Sequence, residues 1–181
     1  MAKIAMMVSS GCEEVEALVQ VDLLRRAGIQ VDMLNIQDEE KATGSHGITF
    51  ETDGKLGEAF LDAYDGIVLP GGMPGTNYLK EDERVIAAVQ NFFKEGKLVS
   101  AICAAPTVLG AAGILEGKRA TCYPGMESGL AGAEAVADPV AVDGNIITSR
   151  GVGTAIPFAL ALIEYLCGAE KKQEIARSIV F

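Results

Sequence analysis

Cys103 stands where two sequence patterns meet. In "KLVSAICAAPTVLGAAG", residues 97–113, Leu98, Val99, Ala101 and Ile102 form a short apolar run of strand type. Ala104, Ala105, Val108, Leu109, Ala111 and Ala112 follow directly and are mostly good helix formers. A strand that turns straight into a helix holds the side chain at the turn clear of the sheet. This is the mechanics of a nucleophile elbow, although the hydrolase signature G-x-S-x-G is absent. The N–H groups of Ala104 and Ala105 would point toward the sulfur, and a helix start favours negative charge. The thiol is therefore expected to ionise well below the ordinary ~8.5 of a cysteine. The competing reading is a buried cysteine serving as a small hydrophobe.

Two further stretches could complete a site. "LPGG", ending in Gly71 and Gly72, follows an apolar run at 65–69. Paired glycines there let other groups approach the backbone and offer unhindered N–H donors for an oxyanion; a plain tight turn is the alternative. The stretch lacks the G-K-[ST] of a phosphate loop and is not G-x-G-x-x-G. "GCEEVEA" carries Glu13, Glu14 and Glu16 in the first turn of a helix. Glu13 and Glu14 read as charges complementing the helix dipole. Glu16 is placed to lean back over the strand ends. A carboxyl pressed against a thiolate there would have its pKa raised, and could donate a hydrogen bond to sulfur or move a proton.

The elements that must position these residues alternate. "KIAMMVSS" (3–10), "IQVDMLNI" (29–36), "DGIVLPGG" (65–72) and the run at 97–102 read as strands. Helices are expected over 13–28, 81–96, 154–168 and 171–181, with Gly28 ending the first and Pro157 in the first turn of the third. "GITFETD" (47–53) reads as a strand at or beyond the sheet edge, and "RATCYPG" and "AVADPVAVDGNIITSRG" as short strands with a turn at Asp143-Gly144. Such alternation predicts an α/β fold: a single domain over 1–181, doubly wound, with a mostly parallel sheet between two helical layers. Ligands in such sheets sit beyond the carboxyl ends of the strands, where all three stretches arrive.

Composition excludes other classes. The net charge of −10 argues against nucleic-acid and anionic-membrane partners. No run of about 18 apolar residues and no signal-peptide pattern is present, so a cytoplasmic protein is expected. Cys12, Cys103, Cys122 and Cys167 form no C-x-x-C pair, and His46 is the one histidine, which argues against both a zinc site and a disulfide framework.

Four motifs, "GCEEVEALVQVDLLRRAG", "DGIVLPGG", "SAICAAPTVLGAAGIL" and "IITSRGVGTAIPFALALIE", run in order over nearly the whole chain. Together they resemble the ThiJ/PfpI superfamily, in the branch of the Parkinson-disease-associated protein DJ-one and its bacterial relatives. The resemblance implies a flavodoxin-like three-layer sandwich and a homodimer. It implies Cys103 as the elbow nucleophile, Glu16 as its carboxyl partner, and Gly72 with Ala104 as backbone donors, with Gly71, Tyr123 and Arg150 at the pocket. Arg150 would pair with carboxylates there. Some relatives place histidine where this chain has Tyr123, so a Cys-His dyad from that position is excluded. The protease branch follows its cysteine with histidine; here Ala104 stands there, which disfavours proteolysis. His46 falls where relatives carry an arginine near the dimer interface, and is either a pocket residue supplied by the partner subunit or an exposed loop histidine.

The resemblance implies a cysteine enzyme without cofactor or metal, a glyoxalase or protein deglycase. Its substrates would be methylglyoxal, glyoxal or their early protein adducts. The rival is a redox sensor or redox-controlled chaperone working through oxidation of Cys103. A small-molecule hydratase or a thiazole-biosynthesis role is further off, since a scaffold does not fix its chemistry.

Overall fold

A computed structural model describes residues 1–181. The main sheet has seven strands. In chain order they are β1 (Lys3–Val8), β2 (Gln30–Asn35), β5 (Gly54–Lys55), β6 (Gly66–Leu69), β7 (Leu98–Ile102), β10 (Val140–Asp143) and β11 (Ile146–Ser149). Their spatial order is β10-β11-β7-β6-β1-β2-β5, parallel throughout except for the β10–β11 hairpin. The five central strands give the flavodoxin-like order that the resemblance implies, with a two-residue strand added at one edge and a hairpin arm at the other. The short pairs β3 (Lys41–Thr43) with β4 (Thr49–Glu51), and β8 (Arg119–Ala120) with β9 (Glu134–Ala135), lie outside that sheet. "GITFETD" thus forms a strand beyond the edge, and the Asp143-Gly144 turn joins a hairpin as expected.

Three helices cover each face. α1 (Glu14–Arg26), α5 (Ala155–Cys167) and α6 (Ala169–Ser178) pack on one side, and α2 (Gly75–Glu81), α3 (Glu83–Lys94) and α4 (Pro106–Ala111) on the other. Strand periodicity assigns side chains to the two cores. Ile4, Met6 and Val8 of β1 face α1 and α5, while Ala5 and Met7 face the opposite layer. Because both faces are covered, β1, β6 and β7 are apolar at nearly every position, Lys3 and Ser100 excepted, and read as continuous runs rather than alternating ones.

Two helices depart from the sequence reading. α2 lies between the strand expected at 65–72 and the helix expected at 81–96, where no helix is expected because Gly75-Thr76-Asn77 has weak helix propensity and the run is short. α4 begins only at Pro106 and spans six residues, so Cys103, Ala104 and Ala105 form a turn rather than the start of the helix. No helix is long and apolar enough to cross a membrane.

The strand order reverses between β1 and β6, since β2 lies to one side of β1 and β6 to the other. The crevice above that point receives the chain leaving β1 and β6, with the exit of β7 alongside. Phe158 of α5 is fully buried against this sheet. Phe158→Ala is expected to cost about 3–5 kcal/mol, measured as a fall in the urea-unfolding free energy.

Candidate active site

Cys103 follows the last residue of β7 directly and has φ of +66°, a left-handed conformation that costs a non-glycine residue about 1–3 kcal/mol. The surrounding chain holds it there. The Cys103 N–H donates to the Ser149 carbonyl at 3.0 Å, and its own carbonyl accepts from the Tyr123 N–H at 2.7 Å. β11 and the segment after β8 therefore clamp the elbow from both sides. The result is a partly exposed sulfur raised above the sheet end, whereas Cys12 and Cys122 are buried.

Glu16 meets it from α1. The Glu16 side chain is almost completely buried, faces Cys103 across Gly71, and accepts from the Gly71 N–H through Oε2 at 3.0 Å. That approach requires glycine at 71. A Cβ there would lie 2.5 Å from the Cys103 Cβ and 2.6 Å from Glu16 Oε2. Gly72 has φ of +91°, and a side chain on it would run into the backbone of Cys12 and Glu13. The N–H groups of Gly72 and Ala104 both hydrogen-bond toward the Cys103 sulfur, and neither is spent on a backbone carbonyl. The four residues that the sequence suggests as a reacting unit are thus brought together.

Proton affinities in the site are set mainly by burial. It pushes Glu16 up to about 7; the Cys103 hydrogen bond opposes this, the Glu13 charge adds to it, and the Gly71 N–H opposes it. Burial also pushes the Cys103 thiol up, to about 12, helped by the charge and hydrogen bond of Glu16 and opposed by the Ala104 and Gly72 N–H groups. The expectation of a thiol acidified by its helix is therefore corrected. α4 is short and starts three residues later, so desolvation and the neighbouring carboxylate win.

The remaining candidates are spread around the crevice. Tyr123 is half exposed, and its ring lies 3.6 Å from where a Gly151 side chain would begin. The same point lies 4.0 Å from Glu16 Oε1, so the bare Gly151 backbone keeps space open between the ring and the carboxyl. Tyr123, Pro124, Arg150, Gly151 and Thr154 line an open groove there. Arg150 corrects an expectation: it forms no ion pair, and its Nη1 donates to the Ala137 carbonyl at 3.2 Å. His46 lies on the turn between β3 and β4. Its Nδ1 is 3.0 Å from Glu14 Oε2 and it makes no hydrogen bond to Cys103 or Glu16.

Glu14 differs from its sequence reading as well. It is buried, and its Oε1 accepts from the backbone N–H groups of His46 at 2.7 Å and Ile48 at 3.4 Å. It anchors the β3–β4 turn to α1. Burial works against its charge, but these bonds outweigh that and hold its carboxyl below the ordinary range, while the Glu14 hydrogen bond raises His46. No local signal separates Glu14 from a solvated first-turn acid; the turn that covers it is about 30 residues away in sequence. Glu13, Glu14 and His46 bring ligand-type atoms within 4.8 Å of one another. The hydrogen bonds of Glu14, and that of Glu13 to the Glu16 N–H, account for the cluster without an ion.

With this geometry in place, known proteins can be set beside it. Residues 2–165 match the model of the DJ-1/PfpI family. The chain belongs to that family. It is 40% identical to Protein dj-1beta of Drosophila melanogaster over 183 aligned positions, covering 99% of this chain and 98% of that one. The crystal structure of that fly protein superposes with a TM-score of 0.95, covering 99% of this chain and 97% of that one. The glutathione-independent glyoxalase DJR-1.2 of Caenorhabditis elegans is 34% identical, covering 92% of this chain and 89% of that protein. A structure described as Toxoplasma gondii DJ-1, oxidized, has a TM-score of 0.96 at 34% identity, covering 100% of this chain and 99% of that one. Family membership and the flavodoxin-like sandwich are thereby shown, and the family includes a member named as a glyoxalase.

A buried carboxyl raised to about 7 has a consequence for stability. Its folded-state pKa lies above its unfolded value, so its contribution is fully present below pH about 4.5 and is lost as pH rises through about 7. Glu16→Gln, which cannot ionise, is expected to unfold at a higher temperature than the unsubstituted protein at pH 8 and to show no such gain at pH 4. Calorimetric scans at both pH values measure this.

Proposed function

We propose that this chain is a cofactor-independent cysteine enzyme acting on methylglyoxal or glyoxal, or on their early adducts with protein amines and thiols. The observation that carries the reading is a partly exposed cysteine set against a buried carboxyl, whose proton affinity burial raises, beside two N–H groups not used by the backbone. The name of the worm relative supports the choice of dicarbonyl substrate.

The residues fit the following course. Ionised Glu16 takes the Cys103 proton as sulfur attacks the aldehyde carbon, which forms the C–S bond and moves the carbonyl electron pair onto oxygen. The Gly72 and Ala104 N–H groups receive that negative charge, and protonation of the oxygen gives a hemithioacetal. Glu16 then removes the proton from the former aldehyde carbon to give an enediol. Return of a proton to the adjacent carbon leaves a thioester of the 2-hydroxy acid. Water cleaves the C–S bond, releasing lactate from methylglyoxal or glycolate from glyoxal, and the thiol is restored. Redox state is conserved: one carbon is oxidised as its neighbour is reduced, so no external electron acceptor enters. Tyr123 and Gly151 line the approach to Glu16 Oε1, and Tyr123 need not act as base.

A second reading rests on a specific observation. Cys103 is a partly exposed sulfur next to a carboxyl able to hydrogen-bond an oxidised form, and one structural relative is described as oxidised. That reading is a stress sensor or redox-controlled chaperone in the reducing setting of a cytoplasm.

Lactate release from methylglyoxal, followed side by side, separates the two. Cys103→Ser is expected to abolish it, and Glu16→Gln to lower it by about a hundredfold or more. Full turnover in Glu16→Gln removes the acid/base role. If the unsubstituted protein yields no lactate while mild peroxide adds two oxygens to Cys103 alone by intact mass, the sensor reading replaces the enzyme.

We further propose a homodimer built on α1 and the β3–β4 arm. Val15, Leu18 and Ile48 are exposed there and lie around one shallow apolar depression. Light scattering at micromolar concentration is expected to give twice the chain mass; a monomer would remove both the dimer and any role for His46 in a partner's pocket.

A further inference from the structure

Glu13 lies outside the reacting pair, yet it is wired into it. Its backbone N–H donates to the Gly71 carbonyl at 2.8 Å. The Gly71 N–H donates to Glu16 Oε2 at 3.0 Å. The Glu16 N–H in turn donates to Glu13 Oε2 at 2.6 Å. Three hydrogen bonds thus close a ring through Glu13, Gly71 and Glu16, joining the start of α1 to the loop leaving β6. We propose that Glu13 is a positioning residue of the site: this ring fixes the Glu16 carboxyl against Cys103, and the Glu13 charge helps draw the shared proton from sulfur toward Glu16. The inference rests on the assignment of Cys103 and Glu16 as the reacting pair and deepens it.

The physical reason lies in where the charge sits. A carboxylate that caps the helix at Glu16 lies close to the Glu16 carboxyl, so it repels a second negative charge there. That repulsion raises the hold of Glu16 on its proton. With one proton divided between carboxyl and sulfur, repulsion at the carboxyl moves the negative charge to sulfur, the nucleophilic partner. The titratable groups facing Glu13 are Glu14 and Glu16 on its own helix, Cys12 on the turn before it, and His46 on the β3–β4 turn, whose Nδ1 is 3.9 Å from Glu13 Oε1. A protonated His46 partly offsets the Glu13 charge, so the effect is expected to grow as His46 loses its proton.

An ordinary N-cap would stabilise α1 and do no more, so the test must read the proton. Glu13→Gln and Glu13→Ser both leave a neutral side chain able to accept the Glu16 N–H, which keeps the cap while removing the charge. Site-resolved alkylation of Cys103 by iodoacetamide is followed by peptide mass from pH 5.5 to 9, in the parent chain and in a Glu16→Gln background. Both neutral caps are expected to slow alkylation about three- to tenfold near pH 7.5 in the parent, and less than twofold in Glu16→Gln, where no proton can be transferred. Equal slowing in both backgrounds would mean that Glu13 acts through helix structure alone, and an unchanged rate in the parent would mean that its charge does not reach the pair. Either result overturns the proposal. Should one neutral cap fail to fold, the other carries the same comparison. The readout is thiol reactivity rather than dicarbonyl turnover, so a protein that makes no lactate but shows this pattern loses the proposed activity and keeps the proposed role of Glu13.

Discussion

The structure turns on a single contact, the approach of the Glu16 carboxyl to the Cys103 sulfur. It places an ionisable oxygen and an ionisable sulfur together where water is largely excluded. Burial raises both proton affinities, so the pair holds one proton between them near neutral pH. The chemistry proposed for the site is movement of that proton. Neither partner would be useful alone in the same place: an isolated buried thiol is inert, and an isolated buried acid merely costs stability.

Much of the surrounding backbone serves that contact. Gly71 gives up its side chain so that the groups can meet, and spends its N–H on the carboxyl. Cys103 occupies a left-handed conformation because Ser149 and Tyr123 hold its backbone on both sides. Ser149 is itself pinned, its hydroxyl hydrogen-bonded to the Pro139 carbonyl at 2.8 Å and paired with the Thr154 hydroxyl at 2.7 Å. The strain at the elbow is thus supported by the far edge of the sheet, which explains why the "TSRG" motif sits close to the site although Arg150 points elsewhere.

Glu13, Glu14 and Glu16 show how one first turn can divide its acids among three tasks. Glu13 caps the helix, Glu14 ties down a distant turn with its imidazole, and Glu16 faces the thiol. Helical geometry makes this possible, because successive residues point about 100° apart, so Glu14 turns to the β3–β4 arm while Glu16 turns to the sheet end. The single histidine of the chain is thereby engaged with Glu14, and the proton transfers are left to carboxyl and sulfur.

The sequence by itself determined the layered α/β fold, the ends of α1, the β10–β11 turn and the identity of Cys103, Glu16, Gly72 and Ala104 as neighbours. The fold, the helix ends and the turn follow from local causes, apolar runs with two-sided burial and glycine where φ is positive, whereas the four site residues come together through a family resemblance carried by motifs spread over the chain. Tertiary structure decided what depends on distant segments meeting. Glu14 became an anchor because residues 44–48 fold over it. Arg150 turned to the Ala137 carbonyl because the chain before β10 passes beside it. The Cys103 thiol is raised rather than lowered because burial and a nearby carboxylate outweigh a short helix that begins at Pro106. Desolvation is a property of everything packed around a group, and no window of sequence contains it.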